Sequence, residues 1–136
     1  MNPKPLRQAE ILLVEDNPVN QMFTKRVLEK GHYNVTIAQN GIEALDQVRS
    51  SQFDLILMDC QMPEMDGLEA TRQIRQMGGA LAQLPIIGLT ANAMEEDRDR
   101  CFSAGMTDYL AKPFYPADLK EKLQEWVDSR VLHRTL

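Results

Sequence analysis

One stretch constrains this chain more than any other. Phe53 to Gly67 (FDLILMDCQMPEMDG) is an apolar run that ends at a single carboxylate, Asp59, and then breaks into a Pro- and Gly-containing turn. A short continuous apolar run bounded by turn residues is the pattern of a strand buried on both faces, as in a parallel sheet covered by helices. Asp59 is therefore expected at the carboxyl end of a central strand, the edge at which open α/β sheets bind ligands. Taken alone, an Asp before Pro and Gly reads equally well as a helix cap or a turn former. What decides its role is what the other strand ends bring to the same edge.

The rest of the chain alternates strand and helix. Glu10 to Val14 (EILLV) is a predicted strand running into Glu15, Asp16 and Asn17. Asn17 then Pro18 suits a helix start, with the Asn side chain as cap and Pro where its missing N–H costs nothing. That helix should run from Pro18 to Lys30 and stop at a left-handed Gly31, with Val19, Met22, Phe23, Val27 and Leu28 recurring at helical spacing. Tyr33 to Ala38 is a second strand, and Gly41 to Arg49 a helix with Ile42, Leu45 and Val48 on one face. After the Phe53 strand come a helix near Leu68 to Met77, a loop from Gly78 to Gln83, and a strand from Ile86 to Thr90. A charged helix from Ala93 to Ala104, containing EEDRDR, ends at Gly105. Thr107 to Ala111 is the fifth strand, and Pro116 to Ser129 the last helix, carrying Leu119, Leu123, Trp126 and Val127 at core spacing. Five such alternations predict an α/β fold with a parallel five-stranded sheet, right-handed crossovers and helices on both faces. Periodicity does not give the strand order.

Composition limits the functions available. A chain of 136 residues with 43% hydrophobic content suits one domain with a real core. We divide it into a leader (1–9), a domain (10–130) and a tail (131–136) that should fray. A net charge of −5 leaves no basic face for nucleic acid, so the domain itself is not expected to bind DNA. No apolar stretch is long enough to span a bilayer and the N-terminus lacks a signal-peptide core, which predicts a cytoplasmic protein. Cys60 and Cys101 lie far apart in sequence without metal-ligand spacing, so both are expected as free thiols, Cys60 buried beside Asp59.

In a parallel sheet all carboxyl ends share one edge, so Glu15 and Asp16, Asp59, Thr90 and Lys112 should converge there. Each has a bland alternative: turn acids, a helix-capping Thr, a solvated Lys. Their coincidence is what carries weight, because four of five strands end in a group suited to phosphoryl transfer to a carboxylate. Three neighbouring acids raise one another's pKa unless a cation neutralises them, and Mg²⁺, a hard ion that takes oxygen ligands and bridges to phosphate, fits. Asp59 would be the nucleophile. Asp16 would ligate Mg²⁺ directly, Glu15 through water, and Gln61 through its backbone carbonyl. Lys112 and Thr90 would each hold an equatorial phosphoryl oxygen.

At these residues the chain resembles the receiver domain of two-component response regulators. The resemblance rests on LLVEDN (Leu12 to Asn17), LILMDCQMPEMDG (Leu55 to Gly67), GLTANA (Gly88 to Ala93) and DYLAKPF (Asp108 to Phe114). It implies the flavodoxin-like order 2-1-3-4-5 and transfer of a phosphoryl group to Asp59 from a phosphohistidine on a histidine kinase or a phosphotransfer protein. It also implies that Tyr109 is a switch aromatic that turns inward as the Thr90 hydroxyl moves toward the phosphate. The motifs are similar to receiver modules of hybrid histidine kinases, so the chain is expected to be such a module or a stand-alone regulator. A weak or phosphorylation-dependent dimer is compatible with either.

Two rivals fare worse. A haloacid-dehalogenase-like phosphatase also joins an Asp nucleophile, Mg²⁺, a hydroxyl and a lysine. It carries the nucleophile after its first strand with a second Asp two residues on, whereas here Asp59 follows the third strand and Gln61 holds that spacing. A flavin-binding module of the same topology would have a hydroxyl-rich loop, and Glu15 and Asp16 would repel the flavin phosphate.

Overall fold

The computed structural model of the chain describes residues 8–62, 65–91 and 94–128. Five strands, β1 (Glu10–Val14), β2 (Asn34–Ala38), β3 (Leu55–Asp59), β4 (Ile86–Thr90) and β5 (Asp108–Ala111), pair in parallel in the order β2-β1-β3-β4-β5. Between and after them run α1 (Pro18–Lys30), α2 (Gly41–Ser50), α3 (Gly67–Gln76), α4 (Glu95–Ala104) and α5 (Pro116–Leu123). The expected order and the two helical layers are both present.

The alternation of each strand sorts side chains into two cores. Leu12, Val14, Ile56, Met58 and Ile86 face α2, α3 and α4, where Leu45, Ile74 and Cys101 close over them. Ile11, Leu13, Leu55, Leu57, Ile87 and Leu89 face the opposite way, against Leu28 of α1 and Leu119 and Leu123 of α5. Every residue of β3 and β4 is buried, which is why both read as unbroken apolar runs. The rigid middle of the sheet thus fixes where the tips of β1, β3 and β4 lie.

The starts of α1, α2 and α3 follow from capping. The Asn17 side chain accepts from the amides of Val19 (2.9 Å) and Asn20 (3.1 Å), Asn40 caps α2 through Glu43 N (2.9 Å), and Asp66 caps α3 through Glu69 N (2.9 Å). Gly67, the first residue of α3, is packed so closely that a side chain there would run into the carbonyl oxygen of Asp59. The turn after β3 is therefore tied to the site it borders.

Several expectations need correction. Only part of the apolar spacing on α1 marks its core face: Leu28 is buried and Val27 packs beside it, but Val19 is 74% exposed, Met22 58% and Phe23 43%, and Thr24 is the other buried position. On α2, Ile42 is exposed and Ala44 takes its place beside Leu45 and Val48. Gly31 is not left-handed (φ −85°); His32 takes the positive φ (66°), and Gly31 is small because a Cβ there would press on the Tyr33 ring at 3.0 Å. Gly105 does end α4 in the left-handed region, with φ 107°. The 78–83 loop contains a short 3-10 turn, Gly79–Ala82. The last helix is α-helical only to Leu123 and continues as a wider π turn over Gln124–Asp128. Strands β2 and β5 start one residue later than expected. The leader up to residue 7, Ala93 at the expected start of the fourth helix, Ser129 and the tail lie outside the described residues.

Candidate phosphoryl-transfer site

The carboxyl edge of the sheet gathers most of the expected groups. Asp59 is the last residue of β3, and its neighbour in register on β4 is Leu89, one residue before Thr90. Glu15 extends β1 by one step, its amide donating to Ala38 O at 3.0 Å. Lys112 follows β5 and donates its amide to Thr90 O at 2.7 Å. The Lys112 ammonium then reaches back along the edge, 3.0 Å from Glu15 Oε1 and 3.2 Å from Asp59 Oδ2. Glu15, Asp59 and Lys112 form one contiguous charged group on the α1 and α5 side.

Glu15, Asp16 and Asp59 each present a carboxylate oxygen within 4.8 Å of the others'. Asp16 is exposed, whereas Glu15 and Asp59 are 2% and 5% exposed. Burial, together with a hydrogen bond to Asp59, raises the Glu15 pKa above its ordinary value despite Lys112. The Lys112 pKa is also raised: burial would lower it, but the hydrogen bond to Glu15 and the charge of Asp59 outweigh that cost. The Lys112 shift reflects the two acids around it, and the Glu15 shift adds to burial the effect of a neighbouring carboxylate that one ammonium does not offset. An all-oxygen, partly open, electron-rich donor set of this kind fits Mg²⁺. Gln61 is exposed beside it, with its amide donating to Asp59 Oδ1 at 3.0 Å.

Thr90 and Tyr109 occupy the other face of the same edge. Tyr109 pairs with Gly88 and packs against the α2, α3 and α4 core, and strand alternation puts the Thr90 side chain on that side too. The Thr90 hydroxyl does not cap α4, whose N-terminal boundary is Met94.

Some of what surrounds the site had no reading in the sequence. Gln21 Nε2 donates to Glu15 O at 2.6 Å, anchoring the strand tip to α1. Phe23 and Phe114 meet at a centroid distance of 6.0 Å, and between them and the charged group opens a cavity of about 400 Å³ lined by Glu15, Asn20, Lys112 and Pro113 among others. Phe102 of α4 meets Tyr109 edge to face. Aromatics just after the lysine and on the neighbouring helix were the only available signal. The Lys112–Pro113 peptide is cis.

Residues 11–124 match the response regulator receiver domain family. The chain belongs to that family. The receiver is 44% identical over 120 residues to the Dictyostelium discoideum hybrid signal transduction histidine kinase B, an alignment covering 81% of this chain but 6% of that protein. The receiver thus spans a small part of the length of such relatives. Among solved structures it resembles the receiver domain of the sensor histidine kinase PA1611 from Pseudomonas aeruginosa PAO1, which has magnesium coordinated in its active-site cleft (48% identity, TM-score 0.83, 90% of this chain and 99% of that one). It also resembles the Saccharomyces cerevisiae Ssk1 receiver, solved with the histidine phosphotransfer protein Ypd1 (31% identity, TM-score 0.86, 94% of each chain). The fold, the family and a place in two-component or phosphorelay signalling follow from these matches.

Proposed function

We propose that Asp59 is the phosphoacceptor of this receiver, taking a phosphoryl group from a phosphohistidine on a histidine kinase or a phosphotransfer protein. The observation that carries the reading is the contact of Lys112 with both Glu15 and Asp59, which aligns a nucleophile, an electrophilic clamp and an acid-rich pocket on one edge. An Asp59 carboxylate oxygen attacks phosphorus in line with the departing imidazole nitrogen; the P–N bond breaks as the P–O bond forms, the electron pair returns to that nitrogen, and the ring, already protonated on its other nitrogen, leaves as neutral imidazole. Lys112 shifts from the carboxylates to a phosphoryl oxygen, and the Thr90 hydroxyl donates to another.

Glu15, Asp16, Asp59 and the Gln61 carbonyl would hold Mg²⁺, which supplies charge neutralisation at the transferring oxygens. The buried, raised-pKa Glu15 supports this, since an acid left undercompensated by the protein has a use for a second cation.

Thr90 and Tyr109, on the face toward α4, form the switch. A hydroxyl drawn to the phosphate vacates space that the ring fills, and the surface of α4, β5 and α5 changes packing with it. The exposed Val19, Met22 and Phe23, beside the site, form a surface for the phosphodonor, where α1 and α5 border a groove of about 530 Å³. The domain spans 10–130, works in the cytoplasm, makes no contact with nucleic acid, and associates with itself at most weakly or on phosphorylation.

Incubation with a small phosphodonor and Mg²⁺ should add one acid-labile phosphoryl group, and Asp59→Asn should abolish it. Phosphate retained by the Asn variant, or found on a hydroxyl, overturns the assignment.

A further inference from the structure

On the side of the sheet away from Lys112 lies a contact that phosphoryl transfer does not use. Cys60 directly follows Asp59, with its amide held by Leu89 O at 3.0 Å. Its side chain points opposite to that of Asp59, into the core beneath α4, where Cys60 Sγ lies 3.7 Å from Cys101 Sγ. The two thiols, remote in sequence, are neighbours in space, and both are free and buried. Room for them comes from β4: a Cβ at Gly88 would sit 3.2 Å from Cys60 Sγ and collide with the sulfur of Met106.

The helix that carries Cys101 is weakly held. Of the ten residues of α4, only Cys101 and Ala104 are buried. A helix with so little apolar anchorage opens locally at low cost, and when it opens both sulfurs meet solvent together. A disulfide of about 2.05 Å needs the sulfurs, now 3.7 Å apart, to close by about 1.7 Å, a movement that a lightly anchored helix can supply.

We propose that Cys60 and Cys101 form a dithiol site that hydrogen peroxide oxidises to an intramolecular disulfide, tying α4 to the tip of β3. One sulfur, as thiolate, attacks the peroxide O–O bond and becomes a sulfenic acid, while the displaced oxygen leaves as water after taking up a proton. The second sulfur attacks the first, the S–S bond forms, and the sulfenic hydroxyl leaves as a second water. The two thiols give up two electrons and two protons, and the peroxide is reduced to two waters. The functional consequence, which rests on the switch surface proposed above, is that the oxidised receiver accepts phosphate but cannot reposition α4.

The full chain, treated with hydrogen peroxide under native conditions, should lose the mass of two hydrogens. It should yield a single Cys60–Cys101 peptide on non-reducing mapping, resist thiol alkylation, and return to its original mass with dithiothreitol. Cys60→Ser should leave Cys101, on the lightly anchored helix, as a sulfenic acid trapped by dimedone, and Cys60→Ala serves if the Ser variant does not fold. Oxygen addition at single cysteines, disulfides only between chains, or oxidation only in denaturant that unfolds the whole domain overturns the site, and none of these readouts needs Mg²⁺ or a phosphodonor. In the second arm, beryllofluoride should shift amides of residues 95–111 in the reduced receiver and leave them largely unshifted in the oxidised one. Equal shifts in both redox states overturn the restraint on α4.

Discussion

Tyr109 and Phe102 meet edge to face, with ring centroids 6.1 Å apart and planes at 88°. One ring belongs to β5 and the other to the half-exposed outer part of α4, so the contact couples the helix to the strand that leads into Lys112. Such a pair contributes about 0.5–1.5 kcal/mol beyond its buried area. A double-mutant cycle of Tyr109→Leu and Phe102→Leu in urea should return a coupling energy in that range. Phe102→Leu should also shrink the beryllofluoride-induced shifts of residues 95–111 without slowing phosphorylation of Asp59. Shifts that stay full-sized in that variant would show that the ring contact carries no signal.

Lys112 packs no core, so Lys112→Ala should fold normally while accepting phosphate from a small donor at least ~10-fold more slowly, a barrier rise of about 1.4 kcal/mol. Its raised pKa also predicts an alkaline signature. Stability contributed by the ammonium is complete below the ordinary value of 10.5 and is lost as pH rises through the higher folded-state value. The wild-type receiver should therefore lose stability at high pH more steeply than the Ala variant, as measured by urea midpoints.

Glu15 works against stability. Its folded-state pKa lies above the ordinary 4.5, so its contribution is greatest below that value and is lost as pH rises through the folded-state one. Glu15→Gln without Mg²⁺ at neutral pH should raise the melting temperature by roughly 2–5 °C, the shift that about 1 kcal/mol produces in a domain of this size. The same variant should bind Mg²⁺ more weakly. A lowered melting temperature would mean that the ion pair with Lys112 outweighs the cost of burying the carboxylate.

Asp108 ties α5 and the π turn after it to β5, accepting from Lys122 Nζ at 2.8 Å, Trp126 Nε1 at 2.9 Å and Tyr109 N at 2.8 Å. Burial would raise its pKa, but the bonds from Lys122, Trp126 and Tyr109 together hold it below the ordinary 3.8. The stability it adds is present above that value and is lost as pH falls through the depressed folded-state one. Asp108→Asn should cost about 1–3 kcal/mol at neutral pH and flatten the acid limb. Trp126 is the only tryptophan, so its fluorescence reports the loss of the indole hydrogen bond directly.

The exposed stripe on α1 separates two kinds of donor. Phe23→Ser should leave phosphorylation by a small phosphodonor within about twofold, while slowing transfer from a protein donor by about tenfold or more, as expected of an aromatic interface anchor. Equal slowing with both donors would assign Phe23 to the site itself, through Phe114.

How much of this was legible in the residues depends on burial. The strands were readable because β3 and β4 are buried on both sides, which leaves unbroken apolar runs. The three acids and Lys112 were readable because strand ends in a parallel sheet share an edge. The face of α1 was legible only at Val27 and Leu28, because helical spacing of apolar residues looks the same whether it meets the core or solvent, and Thr24, not Phe23, turns inward. The Cys60–Cys101 and Phe102–Tyr109 contacts were invisible because they depend on how α4 is rotated, which a helix with two buried residues does not encode in its pattern.

The sheet sets Glu15, Asp59 and Lys112 on one face and Tyr109 and α4 on the other; on the function proposed above, the first set reacts, the second is read, and Thr90 joins them. A random mutagenesis screen should therefore sort loss-of-signal alleles into two groups with opposite biochemical phenotypes. One group, at the first set of positions, yields a mute protein that never carries phosphate. The other, at the second set, yields a protein that accumulates phosphate in vivo and still fails to report it.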